Sequence, residues 1–307
     1  MKARTPAEVV VQVPGKINLC LRSGARRPDG YHQLATIFQA VSVFDEVKAT
    51  PAAGGEIRLH VSGKKVKAVP TGKENLAYQA AALLARWTGR AEKLGVELSI
   101  HKRIPVSGGM AGGSADAAAA LLACAKLWNI EISIPELTVL GAQLGADVPF
   151  CLRGGTALGV NRGDVLTPVM SRGTYHWLLA FSDEGLSTAT VFSTFDAMSP
   201  TSSDQVAVDE TILSALATGD AAALGKALVN DLQAAALKLR PDLEKVLAAG
   251  LDLGALGAVI SGSGPTVGFL CKDEKAAIEL SVRLSSVGLG SNLRRVHGPV
   301  PGARVIG

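Results

Sequence analysis

The sequence predicts an α+β protein of two domains that face a cleft, and three observations support this prediction. A chain of 307 residues has the length of about two domains. Hydrophobic residues make up 48% of it and charged residues 19%, a balance that allows a large buried core. Strand patterns dominate the first third, whereas helices mixed with fewer strands follow. We expect an N-terminal domain over 1–167 and a C-terminal domain over 168–307.

Alternating apolar and β-branched residues predict the strands of the first domain, at 9–13, 17–21, 34–43, 46–50, 56–61 and 96–101. Alanine- and leucine-rich segments predict two helices, over 75–88 and over 114–128. A third helix begins with Pro135 in its first turn and ends near Gly145, because proline is favoured where a helix starts.

The second domain is predicted to contain four strands, at 176–181, 258–261, 266–271 and 293–297. Helical patterns cover most of 187–250 and return over 274–287. No segment recurs with a period of about 20–50 residues, so a repeat architecture is not expected.

The composition argues against several classes of partner. Aromatic residues make up only 4% of the chain, too few for a platform that stacks single-stranded nucleic acid. The longest apolar run, 117–125, is far shorter than the about twenty residues of a membrane span. Four widely spaced cysteines and the lack of a secretory pattern favour a cytoplasmic protein with reduced thiols. We therefore expect a small-molecule partner, with no nucleic acid and no membrane.

A glycine-rich loop before the second helix is the strongest chemical signal. It reads Pro105-Val106-Ser107-Gly108-Gly109-Met110-Ala111-Gly112-Gly113-Ser114-Ala115-Asp116. Its glycines allow tight turns that present successive N–H groups, and a helix N-terminus adds the positive end of a dipole. This combination predicts a phosphate site, with the Ser114 hydroxyl available to phosphate or Mg²⁺. The alternative is a plain loop in which Ser114 only caps the helix.

Other phosphate and hydrolase motifs are absent. The Gly-Lys pairs are followed by Ile17, Lys65, Glu74 and Ala227, whereas a Walker A loop requires Ser or Thr. The segment from Gly262 fails the dinucleotide fingerprint, because Val267 stands where the third glycine belongs. No G-x-S-x-G elbow occurs, so the usual serine hydrolase is excluded as well.

Three further clusters supply candidate groups. Lys16 and Asn18 are two apart on a predicted strand and share one face, which borders either the cleft or solvent. Asp147 follows a helix end and is either a reactive carboxylate or a turn aspartate. The turn Gly262-Ser263-Gly264 either closes over a ligand or forms a tight hairpin. Together with the glycine loop, these parts fit phosphoryl transfer, which needs phosphate donors, Mg²⁺ and a carboxylate that accepts the hydroxyl proton.

Three motifs in order resemble those of the GHMP small-molecule kinases: Pro14-Gly15-Lys16-Ile17-Asn18-Leu19, the loop from Pro105 to Asp116, and Gly262-Ser263-Gly264-Pro265-Thr266. Other segments resemble the branch that phosphorylates the 2-hydroxyl of a methylerythritol linked to cytidine diphosphate in non-mevalonate isoprenoid biosynthesis: Arg27-Pro28-Asp29-Gly30-Tyr31-His32, Gly145-Ala146-Asp147-Val148-Pro149-Phe150 and Asn230-Asp231-Leu232. The resemblance covers about 9–269.

The resemblance implies a two-domain GHMP kinase fold, with an N-terminal domain like ribosomal protein S5 domain 2 and a ferredoxin-like C-terminal domain. It implies that Asp147 is the general base, Lys16 its charged neighbour and Asn18 a substrate-positioning residue. His32 would bind the edge of the cytosine, Tyr31 would stack on its ring, and Phe192 would cover the opposite face.

The resemblance also implies ATP as co-substrate with Mg²⁺. The ATP-binding residues would be Pro105, Val106, Ser107, Gly108, Gly109, Met110, Ala111, Gly112, Gly113 and Ser114, with Asn75 and Asp116 near the nucleoside. Gly262, Ser263 and Gly264 would close over the substrate. The loop has Ala111 and Ala115 where many members have glycine and serine. The motifs hold no obvious carboxylate for Mg²⁺, so we expect ATP and water to supply most of its ligands.

Two alternatives stay open. The first is another GHMP kinase that acts on a homoserine- or mevalonate-type alcohol; Tyr31 and His32 count against it, since those substrates carry no nucleobase. The second is a non-catalytic GHMP-fold protein that binds nucleotide; Lys16 and Asp147 count against it, because binding alone needs neither. The sequence does not give the oligomeric state.

Overall fold

The computed structural model describes residues 6–198 and 206–307, which contain twelve strands and ten α-helices. The strands are β1 (Val9–Arg26), β2 (His32–Ala52), β3 (Ile57–Gly63), β4 (Gly95–Lys102), β5 (Thr156–Asn161), β6 (Val165–Pro168), β7 (Tyr175–Ala180), β8 (Val229–Asn230), β9 (Gly257–Ile260), β10 (Val267–Cys271), β11 (Leu293–Gly298) and β12 (Arg304–Val305). The helices are α1 (Leu76–Trp87), α2 (Gly112–Leu127), α3 (Ile134–Ala142), α4 (Val148–Arg153), α5 (Thr188–Met198), α6 (Glu210–Thr218), α7 (Ala221–Ala227), α8 (Gln233–Leu239), α9 (Asp242–Asp252) and α10 (Glu274–Ser286).

The first sheet is built on two long strands. Its order is β12-β1-β2-β4-β3, with β5 and β6 attached to β2 and β8 attached to β1. The predicted segments 9–13 and 17–21 form one strand, β1, whose register against β2 shifts between Pro14 and Gly15. A proline removes a ladder hydrogen bond, so it is tolerated at such an irregularity. The shift lies immediately before Lys16 and sets the direction in which the following residues point.

Helices α1 and α2 pack on the first sheet, and the hydrophobic core lies between the sheet and these helices. The run Ala117, Ala118, Ala119 and Ala120 is fully buried in α2. Alanine allows a helix to approach its neighbours closely and has the best helix propensity, so this helix can lie inside the domain. Consequently its first turn, which follows the glycine loop, is held on a rigid element.

The second sheet has the order β11-β7-β10-β9, and all of its strands pair antiparallel. Along the chain, β7 and β9 are separated by helices, β9 and β10 are joined by a turn, and α10 leads to β11. This β-α-β-β-α-β arrangement is the ferredoxin-like one. The α+β class and the expected C-terminal fold are therefore confirmed.

Three short elements, α4, β8 and β12, were not predicted from the sequence. Helix α4 has six residues, and β8 and β12 have two residues each. Both β8 and β12 join the first sheet although they follow residue 168, so the division at 167/168 stays a prediction. Within the described ranges, no helix combines the length and the apolar character needed to cross a lipid bilayer.

Candidate active site

A cleft of about 800 Å³ collects most of the residues that the sequence singled out. Strand β1 contributes Lys16 and Asn18 to this cleft, and Asp147 lies there as the residue just before α4. The other predicted residues that line it are Tyr31, His32, Ser107, Gly108, Gly109, Ala111, Gly112, Gly113, Ser114, Phe192, Gly262 and Ser263. Loops that are far apart in the sequence thus meet around one space.

The Lys16 ammonium is buried beside the cleft, donates two hydrogen bonds and lies near a third oxygen, that of Asp147. Its Nζ donates to Asn18 Oδ1 at 2.6 Å and to the carbonyl oxygen of Gly109 at 3.0 Å, and it lies 4.0 Å from Asp147 Oδ2. Asn18 is fixed in turn, because its Nδ2 donates to Thr36 Oγ1 at 2.8 Å. Lys16 therefore has one position and is already directed toward the carboxylate.

Asp147 keeps its carboxylate available. It is the N-cap residue of α4, but its side chain makes no capping hydrogen bond, and about a third of that side chain is exposed to the cleft. Burial lowers the pKa of Lys16 below its ordinary value, while the negative charge of Asp147 opposes that shift. The pair thus places a charged or readily deprotonated amine beside a carboxylate that faces the open cleft.

The start of α2 has no side-chain cap and faces the cleft. The helix begins at Gly112, two residues earlier than predicted, and its N-cap residue Ala111 is left-handed, with φ 59° and ψ 32°. No side chain caps this end, so the first N–H groups of the helix, at Gly112, Gly113 and Ser114, lack intrahelical partners. These residues line the cleft, where their N–H groups can bind phosphate oxygens.

The turn from Ser261 to Gly264 packs directly on the glycine loop. Ser261 Oγ donates to the carbonyl oxygen of Gly109 at 3.0 Å. Asn230 holds the turn from below, because its Nδ2 donates to the carbonyl oxygens of Ile260 and Gly262, both at 2.7 Å. Gly264 shapes the turn, with φ +80°, but does not line the cleft.

Pro105 and Val106 line a second cavity of about 650 Å³, which shares Ser107 with the cleft. Basic side chains surround this cavity: Lys64, Lys65, Lys102, Arg103 and Arg294. An ion pair between Lys65 and Asp183 spans two of its lining loops. The glycine loop therefore contributes lining residues to both cavities.

Three predicted ATP residues line neither cavity. Met110 is fully buried, and its methyl group packs near Gly15 in the core. Asn75 caps α1: its Oδ1 accepts from the N–H of Ala77 and its Nδ2 donates to the carbonyl oxygen of Pro70. Asp116 is also buried. The structure does not bring these side chains to the cleft, because each is used inside the protein.

Asp116 belongs to a buried cluster behind the start of α2. Lys102 Nζ lies 2.5 Å from Asp45 Oδ2 and 2.7 Å from Asp116 Oδ2, and it donates to the carbonyl oxygen of Gly112 at 3.2 Å. Burial raises the pKa of Asp116 to about 8, against the opposing charge of Lys102. Its Oδ1 has no hydrogen-bond partner among the described residues, which suits a neutral carboxyl group. The cluster fixes the helix start from behind.

The far end of the cleft carries aromatic groups. A turn with Gly30 at φ +85° places Tyr31 there, and Tyr31 is 53% exposed, so a ligand can reach its ring. The Arg162 guanidinium lies 5.1 Å from that ring. His32 is buried, and its ring stacks on Phe192 with centroids 4.6 Å apart. Phe192 thus contacts His32 and lines the same cleft.

The polar cleft residues that were not identified from the sequence include Arg162, Thr188 and Asp196. Asp196 had one signal, its position four residues after Phe192 on the same helix, which puts both on one face. Arg162 lies in the turn that joins β5 to β6 and has no close sequence neighbour among the predicted site residues, so spacing alone gave no signal for it.

Comparisons with known proteins identify the family of this chain. A family model of the GHMP kinases N terminal domain matches residues 75–155, and a model of the GHMP kinases C terminal region matches 212–288. The fold is that of a GHMP kinase. The homoserine kinase of Cytophaga hutchinsonii shares the fold, with a TM-score of 0.77 at 19% identity over 100% of this chain and 99% of that one.

Relatives with higher sequence identity indicate which kind of GHMP kinase this chain is. The 4-diphosphocytidyl-2-C-methyl-D-erythritol kinase of Nocardia farcinica is 48% identical over 100% of this chain and 99% of its own length. The enzyme of that name from Mycolicibacterium gilvum is 50% identical over 97% and 92%. A crystal structure of 4-(cytidine 5'-diphospho)-2C-methyl-D-erythritol kinase has a TM-score of 0.74 and 32% identity over 94% and 98%. The chain belongs to the 4-diphosphocytidyl-2-C-methyl-D-erythritol kinase family.

Proposed function

We propose that the protein transfers the γ-phosphoryl group of ATP to the 2-hydroxyl of 4-diphosphocytidyl-2-C-methyl-D-erythritol, in non-mevalonate isoprenoid precursor biosynthesis. The products are the 2-phosphate and ADP. One observation carries the proposal: the Lys16–Asp147 pair shares a cleft with the uncapped N-terminus of α2. An acceptor for the hydroxyl proton and a binding site for the phosphates are thus within one space.

ATP is proposed to bind across the glycine loop. Its triphosphate would lie over Ser107 to Ser114, where backbone N–H groups and the helix dipole favour negative charge. The nucleoside would occupy the second cavity, which continues from Ser107 and is lined by basic side chains. Met110, Asn75 and Asp116 would then support the loop without contacting the nucleotide.

Asp147 is the proposed general base. The 2-hydroxyl oxygen attacks the γ-phosphorus, its proton passes to the Asp147 carboxylate, and the bond to the β,γ-bridging oxygen breaks to release ADP. The Lys16 ammonium, 4.0 Å from Asp147, would offset charge on the transferred group. Asn18 positions Lys16 and borders the bound alcohol.

Mg²⁺ fits this site as an ion held largely by ATP. The described residues contain no group of three or more His, Cys, Asp or Glu side chains suited to a metal. Mg²⁺ usually keeps several waters and takes its other ligands from phosphates and one or two side chains. Ser114 lines the cleft and can serve as such a side chain. When bound, the ion neutralises phosphate charge.

The aromatic end of the cleft is proposed to bind the cytidine. Tyr31 offers an exposed ring for stacking, and His32 offers an imidazole edge. Arg26 and Arg162 line the same end and carry positive charge suited to a diphosphate. Gly262 and Ser263 would close over the middle of the substrate. We further propose a cytoplasmic enzyme, a location consistent with its four free, buried cysteines.

A coupled assay of ADP release tests the function. The purified protein is incubated with ATP, Mg²⁺ and, in separate reactions, the cytidine diphosphate substrate, homoserine or mevalonate. We expect turnover with the first only, and ³¹P NMR should detect a new phosphomonoester on that substrate. Turnover of homoserine or mevalonate without turnover of the cytidine compound would contradict the proposal. Nucleotide binding without any turnover would support a non-catalytic protein instead.

A further inference from the structure

The imidazole of His32 is held on two sides by one helix. Its Nε2 lies 2.7 Å from Asp196 Oδ1, and its ring face stacks on Phe192 with an interplanar angle of 24°. Phe192 and Asp196 are four residues apart on α5 and therefore share a helix face. The ring of His32 is thus fixed both in plane and in rotation.

The contact with Asp196 determines which imidazole nitrogen carries the hydrogen. An ionised carboxylate only accepts hydrogen bonds, so Nε2 must be the donor. In the neutral imidazole, Nδ1 is then an acceptor. Nδ1 makes no hydrogen bond to any described residue, and it is not fully buried. The His32 side chain also lines the cleft. An acceptor nitrogen is therefore open to a ligand.

We propose that Asp196 is a positioning residue that holds His32 in its Nε2–H form and thereby makes the site select cytosine over uracil. This inference rests on the function proposed above. Cytosine carries an exocyclic amino group, which donates to Nδ1, whereas uracil has a carbonyl oxygen at the same ring position. Uracil would set two acceptors against each other, and leaving a buried polar group unpaired is costly.

Asp196 is suited to this role because it has no other hydrogen bond or ion pair among the described residues. About a third of its side chain is exposed, and it also lines the cleft. Its one hydrogen bond within the described part of the chain is to His32, so its proposed effect on the base passes through that ring. Removal of the carboxylate should therefore change the choice of base more than it changes the fold or the binding of ATP.

The test compares the cytidine substrate with its uridine counterpart in the wild type and in three variants. Asp196→Ala removes the acceptor, and Asp196→Asn retains an amide oxygen that can still accept from Nε2. Thr194→Ala is the matched control on α5, where the Thr194 hydroxyl only donates to the carbonyl oxygen of Thr190. Thermal melting and ATP affinity check that each variant is folded.

We expect the wild type to prefer the cytidine substrate, and Asp196→Ala to reduce the ratio of kcat/KM values at least about tenfold. Asp196→Asn should retain more of the preference, and Thr194→Ala all of it. ¹⁵N NMR should find His32 protonated at Nε2 in the wild type and as a tautomer mixture in Asp196→Ala.

Two results would overturn the inference alone: an unchanged ratio in a folded Asp196→Ala protein, or protonation at Nδ1 in the wild type. If the wild type turns over neither substrate, the proposed function fails and the inference fails with it.

Discussion

Gly109 and Ser261 lie so close together that a Cβ on Gly109 would overlap the Ser261 carbonyl oxygen. The Ser261 hydroxyl donates in return to the carbonyl oxygen of Gly109 at 3.0 Å, although the two residues are 152 apart in sequence. Lys16 Nζ donates to the same carbonyl oxygen. The glycine loop, the second glycine turn and the buried ammonium are thus fixed relative to one another through one peptide group.

Gly109→Ala should damage both stability and activity. The added methyl group forces the two loops apart, and Gly109 has a φ of +75°, which alanine adopts only with strain. We expect a loss of about 1–3 kcal/mol in the free energy of unfolding and at least about a tenfold loss in kcat/KM. Gly268→Ala in β10 is the control, since its Cβ would meet only ordinary contacts of 3.6 Å or more. Similar losses in both variants would contradict the explanation.

Asp147→Asn should nearly abolish turnover without unfolding the protein. The amide retains the size of the carboxylate but cannot take the hydroxyl proton, so kcat should fall at least about a hundredfold. Substrate affinity, measured by calorimetry, should change little. Near-normal turnover would mean that another group accepts the proton.

The alkaline limb of the pH–rate profile should lie below pH 10.5, the ordinary pKa of lysine, because burial lowers the pKa of Lys16. Loss of its charge should reduce kcat. Stability should rise with pH where kcat falls. Between the pKa of Lys16 in the folded protein and 10.5, the unfolded chain binds more protons than the folded one. The free energy of unfolding therefore increases with pH over this range. Denaturation of Lys16→Met over the same range should lack this rise. A profile that stays flat up to pH 10.5 would contradict the prediction.

Asp116→Asn should change how stability depends on pH. The pKa of Asp116 is raised from 3.8 to about 8, so the folded protein binds the extra proton between these values. The contribution of this group to stability is complete below 3.8 and is lost as pH rises to about 8. Urea denaturation should find the variant near wild type at low pH and less sensitive to rising pH. Parallel curves for the two proteins would show that Asp116 is ionised in the fold.

Gly302→Ala should lower kcat through α4, whose N-terminus presents Asp147. The segment around Gly302 packs on the other end of this helix: the Gly302 N–H donates to the Arg153 carbonyl oxygen, and the Ala303 N–H donates to that of Cys151. A Cβ on Gly302 would overlap the backbone of Leu152. We expect kcat to fall while KM stays similar. Gly307→Ala, with ordinary contacts to Val10, is the control; equal effects of both variants would contradict this link.

Regular helices with clear patterns could be predicted well, whereas short elements could not. Helix α1 occupies Leu76–Trp87 within the expected 75–88, because Asn75 caps it and apolar residues define its buried face. Helix α4 has too few residues for a helical period to emerge, and β12 exists only through its pairing with β1. Such elements depend on tertiary partners that local sequence does not reveal.

The candidate site was predictable as a set of motifs but not as a set of side chains facing the cleft. Spacing suggested that Lys16 and Asn18 share a face, and the resemblance to GHMP kinases linked them to Asp147. Neither the spacing nor the resemblance indicated that Met110 lies in the core. Neither indicated that Asp116 forms a buried ion pair with Lys102. These outcomes depend on which neighbours satisfy each side chain in the folded protein.

The late pairing of β8 and β12 with β1 affects the order in which the sheet is completed during synthesis. Strand β1 emerges early from the ribosome, but the residues that cover its outer edge, 229–230 and 304–305, emerge much later. Until then the edge has unpaired main-chain groups, which invite association with other chains. A nascent chain or a fragment that stops at residue 168 should therefore need a chaperone to remain monomeric.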